Sequence, residues 1–245
     1  MGFKIEPLNI NTSGMVWEIS EDGETLIQPL SSIKGLGEVA IQQIFNNRPF
    51  KTVEDFIFNE NIVYSKLNKK ALDVLIRSGA CTCLIDDRFT GAKHFWSAVA
   101  VDRPRKLKNL MENIETYKPE GEFSNEEKIE YLTELTGVYP MNLVVSPEVM
   151  IRLQEKMIPP ISEFDEQLGF AWFVVREIEK KKTATGKDYW VLNTIDSTNT
   201  EVKIKCWGIK EKDVVFTNRP YMVKPIYDDW GFSVSNVAKQ LRLLA

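Results

Sequence analysis

The sequence predicts a multidomain α+β chain: an N-terminal β-hairpin, a helical domain, an acidic helical connector and a C-terminal five-stranded β-barrel. Three observations carry this. Apolar residues recur at helical spacing between Pro29 and Ala100, strand-like segments replace them after Leu168, and the charge changes sign in blocks along the 245 residues. Residues 1–30 hold one basic and five acidic side chains, 31–110 thirteen and eight, 111–170 four and thirteen, and 171–245 thirteen and nine. The net charge of −4 therefore hides two basic blocks divided by an acidic one, and local basic surface is what meets a polyanion.

The elements follow in order. Val16–Ile19 and Thr25–Ile27 flank Glu21-Asp22-Gly23-Glu24, and Asp-Gly between alternating segments marks a hairpin. Gly37, Ala40, Ile41, Ile44 and Phe45 form one apolar stripe of a helix. Thr52-Val53-Glu54-Asp55 reads as a capping box opening a short helix through Phe58. Asn68 caps Lys69–Ser78, whose Ala71, Leu72, Leu75 and Ile76 share a face, and Gly79 supplies a left-handed stop. A further helix spans Gly91–Ala100. Residues 101–125 are basic, then polar, and read as a linker. Ser124–Glu127 is a second capping box before Ile129, Leu132 and Leu135, with Gly137 as the stop. Ser146-Pro147-Glu148 opens another helix, which Pro159-Pro160 closes.

Strands are expected at 171–180, 188–195, 201–207, 221–227 and 231–235. Five short strands suit a small Greek-key barrel of the OB type, and an SH3-like barrel fits the count nearly as well. The expected boundaries are 1–30 for the lead-in, 31–100 for the helical domain, 101–168 for linker and connector, and 169–245 for the barrel.

Composition excludes several function classes. With 43% apolar and 27% charged residues the chain is globular, and no apolar run reaches the ~20 residues of a membrane span. The N-terminus lacks the basic start of a secretory signal, so a cytoplasmic location is expected. Cys81, Cys83, Cys206 and His94 do not make a zinc ribbon, because C-x-C is not the C-x-x-C of structural zinc. Asp86-Asp87 and Asp228-Asp229 are the only adjacent aspartate pairs, and a helix stop and a hairpin turn explain them. No Walker, Ser-His-Asp or Cys-His arrangement is present, and His94 reads as structural. No catalytic or metal-binding residue is therefore assigned.

The sharpest motif is Leu30–Ala40. It reads as helix, Gly35-Leu36-Gly37 hairpin, helix, with bare amides at the N-terminus of the second helix, where the dipole favours an anion. Leu36 pins the hairpin and Lys34 reaches a neighbouring phosphate. This is the logic of helix-hairpin-helix contact with a DNA backbone, without base reading. Lys66, Asn68, Lys69 and Lys70 form a second candidate, since cations at a helix N-terminus cost roughly 0.3–1 kcal/mol each unless an anion joins them. In the strand region Lys180, Lys181, Lys182 and Lys187 precede or enter the second strand, while Lys203 and Lys205 alternate along the third. Trp190, with Tyr189, Trp207 and Tyr221, offers rings for single-strand stacking at about 1–3 kcal/mol per base.

Four segments resemble the bacterial replicative DNA polymerase III alpha subunit, a family C polymerase: Met1–Ser13, Ile33–Glu38, Arg48–Phe56 and Leu67–Ala80, in family order. Thr185–Asp196 and Glu201–Cys206 are similar to its OB strands. The resemblance implies tandem helix-hairpin-helix elements that hold the duplex, followed by an OB domain near single-stranded template. The family's palm carboxylates and fingers lie upstream of these segments. Nucleotidyl transfer and its Mg²⁺ are thus expected only in a catalytic portion, the implied partner together with DNA. A sliding clamp is a further partner of the family, although 101–125 holds no clear Q-x-x-[LM]-F peptide and Gln167–Phe170 replaces it poorly. The alternative reading is a stand-alone DNA-binding accessory protein of replication or repair. A structure-specific nuclease is disfavoured because no carboxylates cluster.

Overall fold

In the computed structural model, which describes residues 4–210 and 213–244, the hairpin around Asp22 is formed. The Asp22 carboxylate accepts the backbone N–H groups of Glu24 and Thr25, and Gly23 adopts φ +71°, a left-handed turn that glycine favours. The Ser20 hydroxyl, which also donates to it, together with these bonds holds the Asp22 carboxyl far below the usual carboxylate range. Strand β2 (Glu18–Ile19) pairs antiparallel with β3 (Thr25–Ile27), while β1 (Lys4–Glu6) joins β3 in parallel. Met1–Phe3, part of the first segment of family resemblance, lie outside the described residues.

The chain divides into two compact units, passing from one to the other at Tyr139–Pro140. In the first, a 3-10 turn (Leu30–Ser32) leads to α1 (Glu38–Asn47), α2 (Val53–Ile57), α3 (Lys69–Arg77) and α4 (Ala92–Trp96), which runs on as a π turn through Val101. Both capping boxes form: Thr52 with Asp55, and Ser124 with Glu127 at the start of α6 (Asn125–Thr136). Gly79 and Gly137 stop their helices at φ +82° and +70°. Ile10, Leu30, Ile33, Ile41, Ile44, Phe56, Leu67, Leu72, Leu75 and Phe95 are buried in one core.

Part of the stretch expected to be a linker is helical instead. Helix α5 (Leu107–Tyr117) buries Leu110 and Ile114 in that same core, and Asn113 donates to the Ala98 carbonyl. Leu107, Leu110, Met111 and Ile114 stand at helical spacing. The surrounding lysines and glutamates, on the solvent side, mask the pattern.

The second unit begins with α7 (Met141–Val144) and α8 (Pro147–Glu155), the latter capped by Ser146. A curled sheet follows, built from β4 (Ala171–Lys182), β5 (Asp188–Ile195), β6 (Glu201–Cys206), β7 (Arg219–Val223), β8 (Ile226–Asp228), β9 (Gly231–Val234) and β10 (Leu241–Leu243). Its order is β10-β7-β4-β5-β6-β9-β8, with β9 parallel to β6 and the other neighbours antiparallel. A bulge between Val175 and Glu177 helps β4 curl.

Seven strands thus stand where five were expected, and the surplus lies in the last hairpin. The expected strand 221–227 breaks at Lys224-Pro225, where proline offers no N–H to a ladder. Opposite the break, α9 (Val237–Gln240) separates β9 from β10. The two hairpin arms pair again beyond it, Ile226 with Ser233 on one side and Val223 with Leu241 on the other. Phe173, Val175, Leu192, Ile204, Cys206, Tyr221 and Val234 fill the concave side.

Candidate nucleic-acid interface

The Gly35-Leu36-Gly37 turn is built as its residue types require. Leu36 is buried, while Lys34, Gly35 and Gly37 are exposed. Gly35 has φ +85°, whereas Gly37 is extended at φ −73° and caps α1 without a side chain. The Lys34 N–H donates to the Leu135 carbonyl at 2.7 Å, one of the acceptors that the C-terminus of α6 leaves open. The Ala40 and Ile41 amides return to the Gly37 carbonyl. Among the described residues, the N–H groups of Gly35, Gly37, Glu38 and Val39 have no protein acceptor. They form an anion-seeking edge whose one local opponent is the Glu38 carboxylate in the first turn.

The second lysine cluster comes to this turn. An added Cβ at Gly35 would lie 3.7 Å from Lys70 Cε and 3.6 Å from Val74, so the N-terminus of α3 adjoins the first hairpin. Lys66, Lys69 and Lys70 are exposed there. The Asn68 side chain accepts the Ala71 N–H at 3.0 Å, which commits its oxygen to the cap. The Lys69 and Lys70 amides have no acceptor among the described residues. Sequence reasoning missed the brace behind this second turn: the Arg103 guanidinium lies 3.7 Å from the Tyr64 ring centre and donates to the Tyr64 and Leu67 carbonyls. The Arg103-Pro104-Arg105 run within the supposed linker was the available signal.

In the sheet, strand parity separates residues that adjoin in sequence. Lys180 pairs with Trp190, which pairs with Cys206, so these three share the concave face; Lys182 and Asp188 lie on it too. There Lys180, Lys182, Trp190, Ile209 and Lys210 line a groove of 640 Å³ together with the carboxylates of Asp188 and Asp213; Lys181 and Tyr189 also border it, although strand parity sends their side chains to the other face, and Lys180 Nζ lies 5.6 Å from the Trp190 ring centre. Trp190 is partly buried against the core, and Lys182 is tied to Asp188 at 3.2 Å.

Lys181 points the other way and pairs with Glu179 at 2.7 Å, which holds the Glu179 carboxyl below its usual range. Lys203 and Lys205 share that outer face, Lys203 within the field of Glu179. Lys187, on the turn, sits 5.7 Å from the Trp207 ring centre, and Trp207 stacks on Tyr189 at 4.6 Å. Tyr221 is buried, its hydroxyl accepting the Phe216 N–H.

The groups capable of other chemistry have structural duties. His94 is buried, its Nδ1 accepting the Thr90 N–H at 2.9 Å, so Nε2 carries the proton donated to the Ile114 carbonyl at 2.8 Å. Asp86 and Glu54 share the Arg88 guanidinium, whose hydrogen bonds hold both carboxyls below the usual range. Asp228 accepts the Trp230 N–H in its turn. Burial pushes the Cys206 thiol up to about 12 and Cys81 higher still. Among the described residues no three His, Cys, Asp or Glu side chains gather as a metal site, and no helix is long and apolar enough to cross a membrane.

Residues 2–91 match the family model described as "Helix-hairpin-helix motif". The chain is 32% identical over 84 residues to the DNA polymerase III subunit alpha of Thermus aquaticus, which covers 33% of this chain and 7% of that protein. It is 34% identical over 83 residues to the Pseudomonas fluorescens subunit, again 33% and 7%. The Helicobacter pylori subunit aligns at 24% identity over 253 residues, 98% of this chain and 20% of that one. The chain thus spans a fifth or less of the length of these relatives. Its residues 2–91 thus carry a helix-hairpin-helix motif, and the chain is similar in sequence to the DNA polymerase III alpha subunits of bacteria.

Proposed function

We propose that this chain is the DNA-gripping part of a family C replicative polymerase, holding duplex through two adjoining hairpins and single-stranded template through its sheet. The observation that carries the reading is the approach of Lys70 to Gly35, which sets two helix N-termini with unpaired amides side by side. Lys34, Lys66, Lys69 and Lys70 neutralise duplex phosphates there, the Gly35–Val39 amides receive phosphate oxygens, and Leu36 and Asn68 hold the two turns in shape.

The curled sheet is read as an OB-type barrel. Joining β7 to β8 and β9 to β10 across their breaks restores five strands, and the parallel pairing of β6 with β9 fits that topology. Lys180, Lys182 and Trp190 form its strand-binding groove, and Lys187 guards the turn above it. Lys181, Lys203 and Lys205 lie on the opposite face and serve the outer surface. Nucleotide addition and its Mg²⁺ belong to a catalytic portion acting with this chain in the bacterial cytoplasm, and no residue here is assigned to a sliding clamp.

The test is fluorescence anisotropy of the full chain with a primer-template, a blunt duplex and a single strand across a salt series. Gly37→Val meets open space and an extended backbone, so it screens the amides without strain. It is expected to weaken duplex binding about tenfold at an unchanged melting temperature. Equal duplex affinity in variant and parent would overturn the hairpin assignment.

A further inference from the structure

The second unit holds a cleft that DNA binding leaves unused. Val149 and Leu153 of α8 and Met222 of β7 form an aliphatic wall in a cavity of 250 Å³, and Arg152, Lys156 and Arg242 stand around it. Arg152 and Lys156 are one helical turn apart, and Arg242 pairs with Met222 across β10 and β7, so it lies on the Met222 face. Trp172, the other neighbour of Met222, marks this as the face opposite the Phe173 and Tyr221 core. Residues 111–170 contain thirteen acidic and four basic side chains, yet two of those four are gathered here.

Three features define what would fit. First, among the described residues no carboxylate lines the cleft and the three cations are exposed without a direct ion pair, Arg152 alone lying in the field of a carboxylate, Glu148 one turn back on α8. Like charges collected around one cavity repel, and an anionic partner relieves them. Second, β10 is the terminal strand of the sheet, paired on one edge by β7 and, among the described residues, with no strand on the other. Such an edge accepts an added strand through main-chain hydrogen bonds. Third, the lining has no aromatic ring, so it offers nothing for a nucleic-acid base to stack on.

We propose that the cleft between α8 and β10 docks an extended acidic segment of a partner protein. The segment adds a strand along β10, seats an aliphatic side chain against Leu153 and Met222, and sets carboxylates against Arg152, Lys156 and Arg242.

The experiment uses the full chain against an array of acetylated eight-residue peptides with Asp or Glu at alternate positions and Leu, Ile, Met or Phe at the others. Matched arrays replace the acids with Lys or the apolar residues with Ser, and a (dT)8 oligonucleotide is tested beside them. Among the peptide arrays, binding confined to the acidic-apolar one is expected, weakening at least tenfold in Arg152→Glu/Arg242→Glu when the best peptide is titrated by anisotropy, while (dT)8, bound by the sheet groove, is held equally by variant and parent. Both substituted side chains are exposed, so the melting temperature should not move; Leu243→Asp, on the open strand and 43% exposed, provides an independent loss. Equal binding of the Lys array, no binding of any acidic-apolar peptide, or loss of (dT)8 binding alone in the double variant would overturn the proposal. Primer-template affinity should be unchanged in that variant, which separates this cleft from the DNA sites.

Discussion

In the helical unit, Lys34 and Lys70 are separated by two helices and a capping box, yet Lys70 lies against the turn that follows Lys34. In the sheet, Lys180, Lys181 and Lys182 are consecutive, yet the middle one faces away and is spent on Glu179. A helix N-terminus gathers donors into one spot, so two such ends packed together pool charge from distant sequence. A strand sends alternate side chains to opposite faces, so a run of like residues is divided between two surfaces. Charge counted along a sequence therefore overstates a strand's contribution to a site and understates that of packed helix ends.

The strongest way to break this contrast is to unpin the turn. Leu36→Ala removes a buried side chain from the helical core and should cost about 2–5 kcal/mol, read from denaturant unfolding. Duplex affinity is expected to fall with it, even at temperatures where the protein stays folded. A loss of stability without loss of duplex affinity would show that the amides need no fixed hairpin.

Next in size is the parity test in the sheet. Lys180→Glu/Lys182→Glu should weaken (dT)16 binding about tenfold and reduce the salt slope by about 1.4, since each single-strand phosphate contact contributes about 0.7. Lys181→Glu/Lys203→Glu, on the outer face, should leave both quantities near the parent values. Equal losses in the two pairs would mean that the strand wraps both faces and that parity does not decide.

The smallest effect concerns an ion cluster that holds the helical unit rather than a ligand. Arg88→Ala should cost about 1 kcal/mol at pH 7, a modest figure because Arg88, Glu54 and Asp86 are 33%, 27% and 41% exposed. Both carboxyls titrate below their usual range when folded, so their contribution is complete above that range and is lost as pH falls through the folded values. The difference in melting temperature between variant and parent should therefore shrink in acid. A difference that widened in acid would contradict the assignment.

Much of this was legible in the sequence, because local signals act locally. Thr52, Asn68 and Ser124 announced helix starts by side chains that bond their own backbone, and Gly79 and Gly137 announced stops. What was not legible depends on distant partners. The parallel partner of β3 comes from residues 4–6, the helix α5 was masked by its charged side, and the break at Lys224-Pro225 is matched by α9 on the facing arm. For the site, residue types were readable but placement was not: nothing local says that Lys70 meets Gly35, or that Arg103 braces Tyr64.

The bond from the Lys34 amide to the Leu135 carbonyl has a kinetic consequence. It closes a circuit of about a hundred residues, and contacts of such sequence separation form late because chain entropy must be lost before they return anything. The turn thus acquires its final shape only when the last helix of its unit has arrived. During synthesis, a nascent chain that has emerged only as far as α5 already carries every lysine of the hairpins but not the anchor that orders them.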